Sequence, residues 1–118
     1  MYITIGQYID AVEKNGLPQQ IGQMLSFDLD NQKPIAGCAI GQAAVNLGFD
    51  PYGTLPNVPP DQGATNVCEH NLVPTDLFYI TAHLNDKHRL KLDEIAESLR
   101  GLFSSKLNKK MKVAKRTF

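Results

Sequence analysis

Apolar residues recur at helical spacing in Ile5, Tyr8, Ile9 and Val12, and Thr4 stands three residues ahead of Gln7. This period and the capping-box pattern predict a first helix over residues 5 to 15, stopped by Gly16 and Pro18. A further short turn fits "PQQIGQML", weakened by Gly22. Leu25, Phe27 and Leu29 then alternate with Ser26, Asp28 and Asp30, a period of two that predicts a short half-buried strand. Asp30 and Asn31 suit a turn after it, and Pro34 prevents a long continuation.

"GCAIGQAAVNLG" predicts a second helix over residues 38 to 47, closed by Gly48 in the left-handed conformation. Residues 49 to 74 carry five prolines and are expected to form a long loop, in which only "VCEHNLV" alternates like a strand. The helical period resumes through Leu77, Ile80, Thr81 and Leu84, with Pro74 and Asp76 suited to the first turn and Asn85-Asp86 to the end. A fourth helix over about 92 to 102 carries the apolar set Leu92, Ile95, Ala96, Leu99, Leu102 and Phe103, with Asp93, Glu94 and Glu97 early and Arg100 late, as the helix dipole favours. At the C-terminus Leu107, Met111, Ala114 and Phe118 fall on one helical stripe, so residues 105 to 118 are expected to form a basic amphipathic helix. The resulting fold class is mainly α: a compact bundle of about four helices, room for a short β-hairpin, and that C-terminal helix.

Charge changes this picture more than composition does. The 118 residues have a net charge of zero, yet residues 1 to 103 hold all twelve acidic groups against six cations. Residues 104 to 118 hold the other six cations and no acid. The chain therefore divides into an acidic globular domain, 1–103, and a basic tail, 104–118, and such segregation points to an interaction segment. "MYITIGQYID" has no basic stretch leading into an apolar run, no segment is long and apolar enough to span a bilayer, and the two cysteines read as free thiols. The expected location is the cytoplasm.

Cys38 invites three readings. At a helix N-terminus its thiol could be activated and paired with His70 or His83. With Cys68, His70 and either His83 or His88 it could ligate zinc, although Cys68 and His70 are closer in sequence than structural zinc pairs usually are. Packing accounts for it best: Gly37, Gly41, Ala44 and Gly48 leave one helix face almost bare, and a cysteine suits so close a contact between helices. Asn85-Asp86 could serve acid–base chemistry beside His83 and His88, but a helix-to-helix joint explains the pair. No P-loop, dinucleotide fingerprint, H-E-x-x-H or C-x-x-C motif occurs.

"GCAIGQAA" followed at a distance by "HLNDKHRLKLDEIAESL" resembles a group of small uncharacterised proteins from bacteria and their phages. In that group a Cys-Ala-Leu/Ile-Gly-x-Ala helix precedes an Asn-Asp turn and a "(D/E)EIA" helix. Cys38 to Ala43, Asn85-Asp86 and Asp93 to Ala96 match, and Gly16 to Gln19 match more loosely. The resemblance implies a small, mainly helical cytoplasmic protein, host cytoplasm if phage-encoded, and no particular reaction; the basic tail lies outside it.

Function is expected to rest on the tail: a non-catalytic accessory or adaptor protein that binds a macromolecular partner, first of all a protein, through Lys106, Lys109, Lys110, Met111, Lys112, Lys115, Arg116 and Phe118. The alternative is a nucleic-acid-associated protein using the same cations, for which six phosphate contacts give a log K against log salt slope of at most about −5. Two readings remain: the stripe Leu107, Met111, Ala114 and Phe118 docks on the chain's own acidic body as a fifth structural helix, or the protein is a Cys/His-dependent hydrolase or a zinc protein. No catalytic residue, metal ligand or cofactor is assigned, and the narrow apolar stripe without Trp argues against a membrane surface.

Overall fold

The computed structural model describes residues 1–14, 16–54 and 74–116. β1 (Tyr2–Thr4) runs directly into α1 (Ile5–Glu13). The capping box forms as the sequence predicts: Gln7 N–H donates to Thr4 Oγ1 at 3.0 Å, and Thr4 N–H donates to Gln7 Oε1 at 2.8 Å. Ile5, Tyr8, Ile9, Ala11 and Val12 all turn inward. The helix ends two residues short of expectation. There Asn46 Nδ2 donates to the carbonyls of Ala11 and Lys14 at 2.8 and 2.9 Å, satisfying acceptors that a helix end leaves open.

β2 (Leu25–Phe27) and β3 (Pro34–Gly37) form the hairpin, antiparallel with a bulge between Ser26 and Phe27. Its tip turns through Asx contacts, Asp30 N–H to Asp28 Oδ1 and Lys33 N–H to Asn31 Oδ1, with Gln32 at φ 60°. Leu29, expected on the buried side, is 91% exposed because the strand stops before it. α2 (Ala39–Leu47) follows and ends at Gly48 with φ 82°. α3 (Pro51–Thr54) opens the proline-rich stretch, while "VCEHNLV" lies outside the described residues.

α4 (Pro74–Asp86) and α5 (Leu92–Leu102) complete the helices. α1 packs between α2 and α5, and α4 lies against both of these. Tyr8, Phe49 and Phe78 meet at the centre, with Tyr8 and Phe78 edge to face at 5.1 Å between ring centroids. Arg100 on α5 reaches Asp10 (2.9 Å) and Glu13 on α1 across the surface.

The C-terminal segment corrects the expected fold class. It forms no helix. Residues Lys110–Lys112 are strand β4, antiparallel to β1 with Tyr2 opposite Lys112, Ile3 opposite Met111 and Thr4 opposite Lys110. The protein is therefore a mixed α/β fold, with five helices and two small two-stranded antiparallel sheets among the described residues, rather than a mainly α bundle. Two physical causes stand out. A helix would stack like charges at Lys106/Lys109/Lys110 and at Lys112/Lys115/Arg116, three and four residues apart. The extended form instead buries Met111 and Val113 against the core, and its carbonyls complete α1: Lys109 O accepts from Ile5 N–H (3.0 Å) and Leu107 O from Gly6 N–H (2.9 Å).

Candidate functional site

The cations of the C-terminal segment divide by alternation. In β4, Met111 is 5% exposed, while Lys110 and Lys112 project outward. Met111, expected in a partner-binding stripe, is thus a core residue, and Leu107 is partly buried against the same core. Lys109 and Lys115 are also exposed, and Lys106 and Arg116 are half-buried. Phe118 lies outside the described residues. After β4 the chain keeps extending along the segment that closes α2: Asp50 N–H donates to Ala114 O (2.8 Å), Phe49 bridges Lys115, and Arg116 N–H donates to Gly48 O (3.0 Å).

The outer face of the β1–β4 ribbon consequently carries Tyr2, Thr4, Lys110 and Lys112. Tyr2 is 66% exposed and sits directly across from Lys112. Sequence reasoning missed it, since an aromatic at position 2 gives no sign of standing beside a lysine at 112. The signal lay in the period of two shared by Tyr2-Ile3-Thr4 and Lys110-Met111-Lys112.

The two motif segments that carry the resemblance also come together, in a buried junction. Asn85 is fully buried in the last turn of α4. Its Oδ1 accepts from Ala39 N–H (3.0 Å), so α4 supplies the N-terminal cap that Cys38 does not give α2. The same oxygen accepts from Gln19 Nε2 (2.9 Å), while Asn85 Nδ2 donates to Gln20 O (2.9 Å) and Asp86 Oδ1 (2.8 Å). Gln42, equally buried on α2, accepts from Leu17 N–H (3.1 Å) and donates to Leu17 O (2.7 Å) and Gly37 O (3.1 Å). Together they clamp residues 17–24 over the start of α2. Asn85 is therefore a hub of hydrogen bonds beyond the joint itself, and the positive φ of that connection belongs to Arg89, at 53°.

Gly41 explains the small-residue face. A Cβ there would lie 1.8 Å from the Met24 carbonyl oxygen. The bare face thus admits the backbone of the 17–24 segment, where two apposed helices were expected.

Cys38 is 4% exposed, and burial pushes its thiol pKa up despite the N–H groups of Gly41 and Ile40 nearby. Its Sγ is held protonated, the reverse of an activated nucleophile. Tyr8 is buried beneath the same helices, its hydroxyl without a hydrogen-bond partner among the described residues, and burial drives its pKa upward too. Thr81, whose proximity opposes that rise, gives its own hydrogen to Leu77 O at 2.6 Å. The His83 and His88 rings meet edge to face at 4.9 Å, and His83 is shifted to lower pKa by desolvation and then by His88 and Lys87. Cys68 and His70 fall outside the described residues, and among the described residues no cluster of three metal-type side chains forms. An open cleft of about 580 Å³ between Glu13, the 17–19 segment and the start of α5 is lined by charges of both signs, Glu13, Lys91 and Asp93. Among the described residues no helix is long and apolar enough to cross a membrane.

Comparison with family models, curated proteins and solved structures finds no match.

Proposed function

We propose that this protein is a non-catalytic adaptor of bacterial or phage type, working in the cytoplasm, that binds an acidic macromolecular partner through the lysines of its C-terminal segment. The observation that carries this reading is the alternation in β4, which anchors Met111 in the core and leaves Lys110 and Lys112 outward. Lys109 and Lys115 extend the same charge, and none of the four makes an ion pair among the described residues. With Leu107, Met111 and Val113 turned inward, the recognition chemistry left on this surface is positive charge, so the partner is defined by negative charge rather than by an apolar groove.

Heparin chromatography tests this, because a chain of zero net charge is retained only if its cations are segregated. The expected result is retention at low salt, abolished in a variant with Lys109, Lys110, Lys112 and Lys115 all changed to Gln. These exposed substitutions should change folding stability by less than about 0.5 kcal/mol in urea titration. Flow-through of the unmodified protein at about 50 mM salt, where screening is still weak, would overturn the reading.

A further inference from the structure

We infer that the outer face of the β1–β4 ribbon is a platform for single-stranded nucleic acid, on which the Tyr2 ring stacks a base while Lys110 and Lys112 hold neighbouring phosphates. The inference rests on the reading of this basic segment as the partner surface, and it adds the class of partner and a residue from the other end of the chain.

Three observations converge. First, the register puts Tyr2 directly opposite Lys112, so ring and ammonium stem leave the same face about 5 Å apart at Cβ. Second, Lys110 and Lys112 are two positions apart on one strand, which spaces them about 7 Å along it, a step comparable with that between successive phosphates of an extended strand. Third, both charged side chains of the ribbon face are positive, and Tyr2 is the large apolar surface there, 66% exposed among the described residues.

A ring flanked by cations is the combination by which single strands bind without sequence preference: charge tracks the backbone, and any base offers a π-face. Duplex DNA would satisfy the lysines but hides the faces of its bases, leaving Tyr2 unused. An acidic protein would likewise satisfy the lysines, yet a narrow two-stranded ribbon gives it no pocket for an apolar anchor. The Thr4 side chain, on the same face and across from Lys110, is already engaged with Gln7 N–H and α1, which keeps the platform rigid.

The experiment is fluorescence anisotropy of a labelled twelve-residue oligothymidylate with the full chain, repeated between 50 and 200 mM salt, beside a duplex of equal length and a polyglutamate competitor. The expected order is single strand tighter than duplex, with polyglutamate a poor competitor. Tyr2→Ala should weaken binding roughly ten-fold at unchanged salt slope, and Tyr2→Phe should keep it. Lys110→Gln with Lys112→Gln should lower the slope by about 1.4, the share of two phosphate contacts. Melting by circular dichroism checks that each variant remains folded. Equal affinity for duplex, indifference to Tyr2→Ala, or efficient competition by polyglutamate would sink the single-strand inference while heparin retention keeps the basic surface standing. Loss of both heparin and oligonucleotide binding would sink the two together.

Discussion

At the start of α2, Asn85 and Gln42 aim their amide atoms at protein, whereas on the β1–β4 ribbon the side chains of Lys110 and Lys112 stand exposed to solvent. Both regions join segments far apart in the chain. The junction ties the 17–24 segment and α2 to α4 through side-chain amides that are fully satisfied. The ribbon ties residue 2 to residue 112 through backbone hydrogen bonds and the inward-facing Ile3 and Met111, which leaves its outward side chains for other work. A buried polar group bears on stability because leaving its partners unpaired is expensive, while an exposed lysine can be altered at little cost. The most distinctive motifs of the sequence therefore mark scaffold, and the plainest stretch, a run of lysines, marks the candidate surface.

That division can be broken most forcefully at Gly41. Gly41→Ala drives a Cβ into the Met24 carbonyl and should lower stability by about 3 kcal/mol or more, read as a fall in the urea midpoint. Next in size is Asn85→Ala. It strands the Ala39 N–H and the Gln20 carbonyl and should cost about 2–3 kcal/mol, with amide exchange accelerated at Ala39 before the rest of α2. A loss below 0.5 kcal/mol would show that water replaces the amide and that the junction is no scaffold.

Tyr8→Phe should move the other way. It removes a buried hydroxyl that has no partner among the described residues and should stabilise by about 1 kcal/mol at neutral pH. Burial raises the pKa of Tyr8 above its ordinary 10.0 and that of Cys38 above 9.0, so both stay protonated in the folded chain when the unfolded chain has begun to ionise. Their contribution is complete below about pH 9 and falls as pH rises beyond it. Urea midpoints between pH 8 and pH 11 should decline, and less steeply in Tyr8→Phe; a flat profile in the unmodified protein would contradict the burial of both groups. The smallest expected effect is that of the lysine substitutions on folding, which leaves the ribbon's contribution to binding measurable by itself.

Much of the scaffold was legible because its determinants are local. Thr4 and Gln7 close a box three residues wide, Gly48 takes the left-handed position after α2, and α5 carries its charges in dipole order. The C-terminal segment misled for a definite reason. Leu107, Met111 and Ala114 satisfy a period of 3.6 while Met111 and Val113 satisfy a period of two, and the strand that decides between them is three residues long at the far end of the chain. Asn85 read as a joint because its partners Ala39, Gln19 and Gln20 lie 46, 66 and 65 positions away. Cys38 is buried, as the packing reading expects, although what packs on that helix is a backbone segment.

The pairing of residue 2 with residue 112 has a consequence for biogenesis. While the chain is being synthesised, Ile3 lacks its register partner Met111, and the Ile5 and Gly6 amides lack their acceptors on Lys109 and Leu107, until Leu107 to Lys112 have left the ribosome. Closure of so long a loop is a late, entropically costly step. The lysine ribbon thus comes into existence only once residues 110–112 can pair with β1, so a nascent chain stalled before them would not display it.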